Sequence, residues 1–252
     1  MGAGAALRSE WIKFWSLRAP VAALAVLVVL NGGLAAMLSL ARARQWDGGV
    51  FDPVQVSLAE ILMTQIAAAV LGLIVINAEI GAGTIRSTLA AIPRRSRVLA
   101  AKLVITALTV LVTGTGAAVL AFVVGQTVLA GQLVPTAGPG DPGVSRAVFG
   151  AGLYLTAAAV IGLAVGVLVR SAPGGVAIVM TGLLIVPIFA NALPEAAARW
   201  ILKFWPSVAG LRVISTTHDA NLLSPWAGFA VMAATALTLL ATAFLIFRHR
   251  DM

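Results

Sequence analysis

Six long tracts without charged residues dominate this sequence and constrain its fold more than any other feature. Only 10% of the 252 residues are charged and 60% are hydrophobic, whereas soluble domains are about 25% charged. A helix needs about 20 residues to cross the hydrocarbon core of a bilayer. Backbone groups in lipid must pair internally, and the tracts lack the alternation of a transmembrane barrel. We therefore predict an all-α polytopic membrane protein with six transmembrane helices, at residues 19–41, 58–80, 103–130, 147–169, 174–194 and 224–247.

The distribution of basic residues predicts the orientation of these spans. An even number of spans places both termini on one side, and that side holds eleven basic residues against six on the other. The positive-inside rule then makes both termini cytoplasmic, in a multi-pass protein of the plasma membrane. Because the basic residues flank spans, we expect them to face anionic lipid, and we expect no nucleic-acid partner.

Two further segments are apolar but too short to cross. Residues 1–18 predict an amphipathic helix in the inner interface, because Leu7, Trp11 and Phe14 fall near one face of it. Residues 194–210, between the fifth and sixth spans, predict a re-entrant or interfacial segment with its own apolar face. A cap that simply packs on the outer end of the bundle is an equal alternative for the second segment.

The stretch after the second span has an unusual pattern. Thr84 is a suitable helix cap, and Ile85, Leu89 and Ile92 recur at helical spacing before Pro93. This predicts a short cytoplasmic helix at residues 84–92 that presents an apolar stripe and a cationic end to a partner. Glu79 and Arg86 are expected to pair across the break before it. The alternative is a basic cytoplasmic loop with a glutamate that reaches the interface.

The chain lacks the residues of several chemistries. It has no cysteine, and no glycine precedes any of its three lysines, so it carries no Walker phosphate-binding loop. Its two histidines are predicted on opposite sides of the membrane, which disfavours a metal site within one chain. We expect no catalytic residues, no metal and no cofactor on this chain.

Polar residues within the spans are candidates for a translocation pathway, because such groups usually face the bundle interior. Hydrogen bonds between helices are the alternative explanation for most of them. No charge is predicted at mid-membrane, which disfavours an ion-coupled carrier and favours apolar or amphipathic cargo. The candidate residues are Asn31, Gln65, Asn77, Thr106, Thr156 and Thr181.

Taken together, these features resemble the membrane (permease) subunit of a bacterial ABC transporter of the ABC-2 type, with an actinobacterial-like composition. The resemblance covers the whole chain, as a single transmembrane domain at residues 1–252. Its most specific part is the glutamate, Gly-Thr, Thr-Leu and Pro-Arg pattern after the second span. The resemblance implies that this stretch is the coupling helix that docks on an ATPase, with Glu79, Gly83, Thr84, Ile85, Arg86, Thr88, Leu89, Ile92, Pro93, Arg94 and Arg95 as its residues.

The resemblance also implies the partners. Two copies of a separate ABC ATPase subunit would bind ATP and Mg, and a second copy of the permease would complete the pathway. The expected function is ATP-driven export of a hydrophobic or amphipathic substrate such as a drug, a peptide or a lipid. Two alternatives remain open: an ATP-independent secondary transporter or channel, and a membrane partner protein that does not transport.

Overall fold

The computed structural model describes residues 3–81, 95–217 and 219–249, and every regular element within these ranges is helical. Five helices are long and apolar enough to cross a bilayer. The described part of the chain is therefore an all-α bundle whose long apolar helices are compatible with a polytopic membrane protein. The predicted coupling helix at residues 84–92 lies outside the described residues.

The helices follow the predicted spans closely. In chain order they are α1 (Ala3–Ser16), α2 (Arg18–Arg44), α3 (Pro53–Ser57), α4 (Ile61–Gly81), α5 (Arg95–Gly131), α6 (Val144–Val169), α7 (Ala172–Ile188), α8 (Glu195–Phe204), α9 (Pro206–Gly210) and α10 (Pro225–His249). The helices α2, α4, α5, α6 and α10 correspond to five of the six predicted spans. In α1, Trp11 and Trp15 remain exposed, as expected of an interfacial helix.

The predicted fifth span corresponds to α7, which is shorter than a full span and is interrupted. Its middle turn, Thr181–Ile185, is a π-helix, and Pro187 follows directly after it. Proline has no N–H and cannot bond the carbonyl four residues earlier, so a break is expected there. Six complete crossings therefore remain a prediction, while a bundle with five long apolar helices is what the structure contains.

The helix α6 forms the centre of the bundle and packs closely along α4. Its backbone approaches that of α4 so nearly that a Cβ on Gly162 would clash with the carbonyl oxygen of Ala69. In the same way, a Cβ on Gly72 would clash with the carbonyl oxygen of Ala159. Without a hydrophobic driving force between helices in lipid, small residues of this kind allow the close packing that stabilises the bundle.

A carboxylate joins two loops at the end of the bundle opposite to α1. The oxygens of Asp52 accept hydrogen bonds from the Gln55 N–H (2.9 Å), the Thr216 N–H and hydroxyl (2.7 and 2.8 Å) and the Thr217 N–H (3.0 Å). Burial raises the pKa of Asp52, but these hydrogen bonds outweigh it and hold the pKa below its usual range. Asp52 therefore caps α3 and ties it to the loop before α10.

We predict that Gly162→Ala destabilises the bundle by about 1–3 kcal/mol, because the new methyl group forces α4 and α6 apart. Thermal unfolding in detergent measures this change. Gly33→Ala is the matched control, since a Cβ there meets no atom within 4 Å. An unfolding temperature that changes equally in both variants would contradict the close packing.

We predict that Asp52→Asn lowers the stability by about 2 kcal/mol at neutral pH, because an amide nitrogen cannot accept the two N–H bonds that Oδ2 accepts. Since folding lowers the pKa of Asp52, its contribution is present above the ordinary aspartate pKa of about 4 and is lost as the pH falls through the folded value.

Thermal unfolding of the wild type and of Asp52→Asn, measured at a series of pH values from neutral downwards, tests this pH dependence. The difference between wild type and Asp52→Asn should shrink below about pH 4. The exposed Asp47, changed to Asn, provides the control, and the account fails if that variant shows the same loss.

Candidate functional site

Four charged side chains form a ring at the end of the bundle where the chain begins. The ammonium group of Lys13 lies 3.0 Å from Oε1 of Glu10 and 3.0 Å from Oε1 of Glu79. The ammonium group of Lys102 lies 2.7 Å from Oε2 of Glu10 and 2.8 Å from Oε1 of Glu79. Each lysine thus bridges both glutamates. We call these four residues the charged ring.

The ring is buried within apolar helices. Glu10, Glu79 and Lys102 are each less than 7% exposed, while the side chain of Lys13 is 32% exposed. A carboxylate or ammonium ion is costly to bury unless it is paired, and here each has two partners of opposite charge. Lys102 also donates a longer hydrogen bond, of 3.3 Å, to the carbonyl of Val75 in α4.

Three helices supply the ring. Glu10 and Lys13 are three residues apart on α1, so they lie on one face of it. Glu79 is in the last turn of α4, and Lys102 is two turns into α5, where an apolar helix has already begun. The ring therefore fastens α1 to the end of one apolar helix and the start of the next.

The ring is electrically balanced, with two carboxylates and two ammonium groups. Burial lowers the pKa of Lys13, but its hydrogen bonds to Glu10 and Glu79 outweigh this and raise the pKa above its usual value. Lys13 is therefore charged at neutral pH. A cavity of about 20 Å³ lies beside the ring, bounded by Phe14 and Pro20, and has room for a single water molecule.

Two residues of the ring flank the predicted coupling helix in the sequence. Glu79 lies five residues before the predicted helix at residues 84–92, and Lys102 lies ten residues after it. A force on the intervening stretch would act directly on the two helix ends that the ring joins. The ring therefore joins the two helix ends that flank this stretch in the sequence and fastens both to α1.

Most of the predicted coupling residues lie outside the described part of the chain. The predicted pair between Glu79 and Arg86 also remains a prediction, while the described partners of Glu79 are Lys13 and Lys102. Arg95 is the first residue of α5, and only its backbone is described. The residues outside are Gly83, Thr84, Ile85, Arg86, Thr88, Leu89, Ile92, Pro93 and Arg94.

Most of the candidate pathway residues do not contact one another through their side chains. Asn31 and Thr156 bond carbonyls of their own helices. Asn77 and Thr106 are buried, and their side chains have no hydrogen-bond partner among the described residues. Thr181 is exposed at the start of the π-turn of α7. Whether any of them lines a pathway remains a prediction.

The exception is Gln65, which joins three elements. Its amide nitrogen donates to the carbonyl of Leu183 in α7 at 3.2 Å, and its oxygen accepts a hydrogen bond of 2.6 Å from the Tyr154 hydroxyl. The same hydroxyl lies 3.0 Å from the carbonyl of Ser207 in α9. In a regular helix the carbonyl of Leu183 would accept a hydrogen bond from the N–H four residues later, but that residue is Pro187, which has no N–H. The amide of Gln65 supplies the missing donor.

The indole of Trp205 has a similar role. Its Nε1 donates a 2.7 Å hydrogen bond to the carbonyl of Gly182, the neighbouring residue in the π-turn. The Val186 N–H bonds the carbonyl of Thr181, five residues back, and this shift leaves the carbonyl of Gly182 available. The break in α7 is therefore stabilised by side chains from α4 and from the turn between α8 and α9.

The ring could not be predicted from the sequence, and the reason is physical. Glu10 lies midway along α1 and Lys102 lies two turns into α5, and nothing in the spacing of these single charges shows that they meet. The signal that was available is Lys102 itself, a lysine followed by a long apolar tract and separated by one loop from Glu79.

Within residues 3–81, 95–217 and 219–249, no group of three or more histidine, cysteine or acidic side chains could hold a metal ion. No protein-family model matches the sequence, and no curated protein matches it. A functional assignment therefore depends on the charged ring, the apolar helices and the residues of the stretch between Glu79 and Lys102.

We predict that Glu79→Gln and Lys102→Gln each destabilise the protein by about 3–5 kcal/mol, because each removes two ion pairs of the buried ring and upsets the balance of charge among its four residues. The double variant keeps the pair between Glu10 and Lys13 and a neutral balance. It should therefore cost less than the sum of the single changes, which thermal unfolding of the four proteins measures as a coupling energy.

The exposed pair of Glu195 and Arg199, whose charged atoms are 3.8 Å apart, provides the matched control. Replacing either residue by glutamine should leave the unfolding temperature nearly unchanged, because solvent screens such pairs. Additive effects in the double variant of the ring would show that Glu79 and Lys102 do not act together.

Proposed function

We propose that this chain is the permease subunit of an ATP-driven ABC exporter of the ABC-2 type, which works as a dimer with two copies of a separate ATPase. The ATPase would dock on the stretch at residues 84–92. The cargo would be hydrophobic or amphipathic. In this proposal both termini and the charged ring face the cytoplasm, and the protein lies in the plasma membrane.

The observation that carries the proposal is the charged ring, because two of its residues, Glu79 and Lys102, flank the predicted docking stretch in the sequence. A helix that receives a push from a partner transmits it only if its ends are firmly joined to the bundle. Glu79 and Lys102 are such attachment points, and they contact each other at 2.8 Å. Glu79 and the Gly-Thr, Thr-Leu and Pro-Arg pairs that follow it add the resemblance to the ABC-2 family.

The mechanism follows from these connections. When ATP brings the two ATPases together, the docking stretch would move with them. Because the ring ties its ends to α1, α4 and α5, and α6 packs tightly on α4, these four helices would shift as a unit against α10. Access to a pathway between the two permease copies would then alternate.

The charge distribution supports apolar or amphipathic cargo. Across the described residues, the five long apolar helices carry acidic or basic side chains only near their ends. Ionisable groups at mid-membrane are typical of ion-coupled transporters. A pathway without them is better suited to a substrate that leaves water as a largely apolar molecule.

A second candidate is a secondary transporter, and one observation favours it. Glu60, directly before α4, is 0% exposed, and neither of its carboxyl oxygens has a hydrogen-bond partner among the described residues. Buried carboxyls of this kind mark proton relays in some carriers. Under this alternative Glu60→Gln would abolish transport, whereas ATP-driven export should tolerate the change.

We predict that the chain copurifies with an ATPase and that Arg86→Ala and Glu79→Ala uncouple ATP hydrolysis from transport, with both rates taken per assembled complex because Glu79→Ala also weakens the ring. Reconstituted vesicles with a fluorescent amphipathic dye allow both rates to be measured. Arg199→Ala, at an exposed position on α8, is the control and should leave both rates unchanged.

Two outcomes would contradict the proposal. Transport by the isolated chain in response to a proton or sodium gradient would identify a secondary transporter. Transport that is unchanged in both Arg86→Ala and Glu79→Ala would show that energy does not enter through this stretch.

A further inference from the structure

An apolar groove lies between α6, the broken helix α7, α10 and the turn at Trp205. It has a volume of about 170 Å³. Ile161, Gly182, Trp205 and Leu239 mark its four sides, and its wall presents almost only carbon atoms. The groove is separate from the charged ring, none of whose residues lines it.

The polar atoms beside the groove are already paired. The carbonyl of Gly182 accepts the hydrogen bond from the Trp205 indole, and the Thr235 hydroxyl donates 3.0 Å to the carbonyl of Val231. A water molecule needs two to four polar partners, and these atoms offer few. The groove is therefore suited to hydrocarbon and not to water or to a polar ligand.

The groove lies near the middle of the bundle's height. Thr235 is ten residues into α10, which corresponds to about 15 Å along the helix, or half of a hydrocarbon core of about 30 Å. Trp205 and Pro206 line the groove together with Thr235, so this part of the segment 194–210 lies at the same level. Ile178 at the rim is 52% exposed, so the groove opens sideways, towards the bilayer.

We propose that this groove binds the end of an acyl chain. A dry cavity of about 150 Å³ binds benzene in another protein, so the volume here corresponds to about six carbons. At mid-membrane depth the available hydrocarbon consists of chain ends. Because the surrounding lipid is as apolar as the groove, selectivity would come from the fit between the chain and the walls.

The site would also define the cargo class if the proposed function is correct. A substrate with an acyl tail would place the tail against α7 at its break, where Gln65 and Trp205 stabilise the free carbonyls. This step depends on the proposed function. Binding of the chain itself does not, since it requires only this protein and a bilayer.

A photoactivatable phosphatidylcholine with a diazirine at the end of one acyl chain tests the proposal on the full-length protein in vesicles, without an ATPase. We expect labels on peptides that contain residues 178–183 and 205, at a higher yield than on the lipid-facing Val112 of α5, which is 71% exposed. Unlabelled oleic acid in excess should reduce the label in the groove and leave that at Val112 unchanged.

Gly182→Phe should reduce the label in the groove to the level at Val112. A Cβ on Gly182 meets no atom within 4 Å, so the ring has room to enter the groove without a clash at its base. Gly116→Phe on α5, where a Cβ is equally free, is the control and should not change labelling in the groove.

Three results would overturn the proposal. They are labelling of the groove no stronger than at Val112, labelling that oleic acid does not reduce, and labelling of the groove that appears only when the protein is diluted to monomers, which would show that a second copy of the chain occupies it. The wild-type competition experiment tests the proposal even if Gly182→Phe does not fold. Failure in this assay would leave the ATP-coupling proposal intact, because no ATPase is present.

Discussion

The arrangement of this bundle depends on two carboxylates and two ammonium groups that pair with each other inside an apolar protein. Ions buried in such surroundings are tolerated only where partners surround them. The ring meets this condition, since Lys13 and Lys102 each contact both Glu10 and Glu79. The alternative, a set of unpaired charges in hydrocarbon, is so costly that the ring fixes how α1, α4 and α5 meet.

Away from the ring, the bundle combines a rigid contact with a broken helix. The glycines between α4 and α6 let two backbones touch, which leaves little freedom of movement there. In α7, by contrast, Pro187 and the π-turn free two carbonyls, which side chains from other elements then satisfy. A π-bulge of this kind is often found at functional sites. The acyl-chain groove lies directly beside it.

The sequence was sufficient to predict the long helices but not the contacts between them. Hydrophobic tracts report burial in lipid directly, so five helices follow the predicted spans. The break in α7 was foreseeable only in part, since Pro187 predicts a bend and the π-turn depends on donors from Gln65 and Trp205. Lys102 and Glu10 are 92 residues apart, and only the packing of three helices brings them together.

The most direct test of the central claim concerns the side of the membrane on which residues 84–92 lie. The chain contains no cysteine, so Thr88→Cys and Val50→Cys can each be labelled with a membrane-impermeant maleimide without background. Val50 is 97% exposed at the end of the bundle opposite to the ring. In intact cells the account predicts labelling of Val50→Cys only, and in inverted vesicles labelling of Thr88→Cys. Labelling of Thr88→Cys from outside intact cells would contradict it.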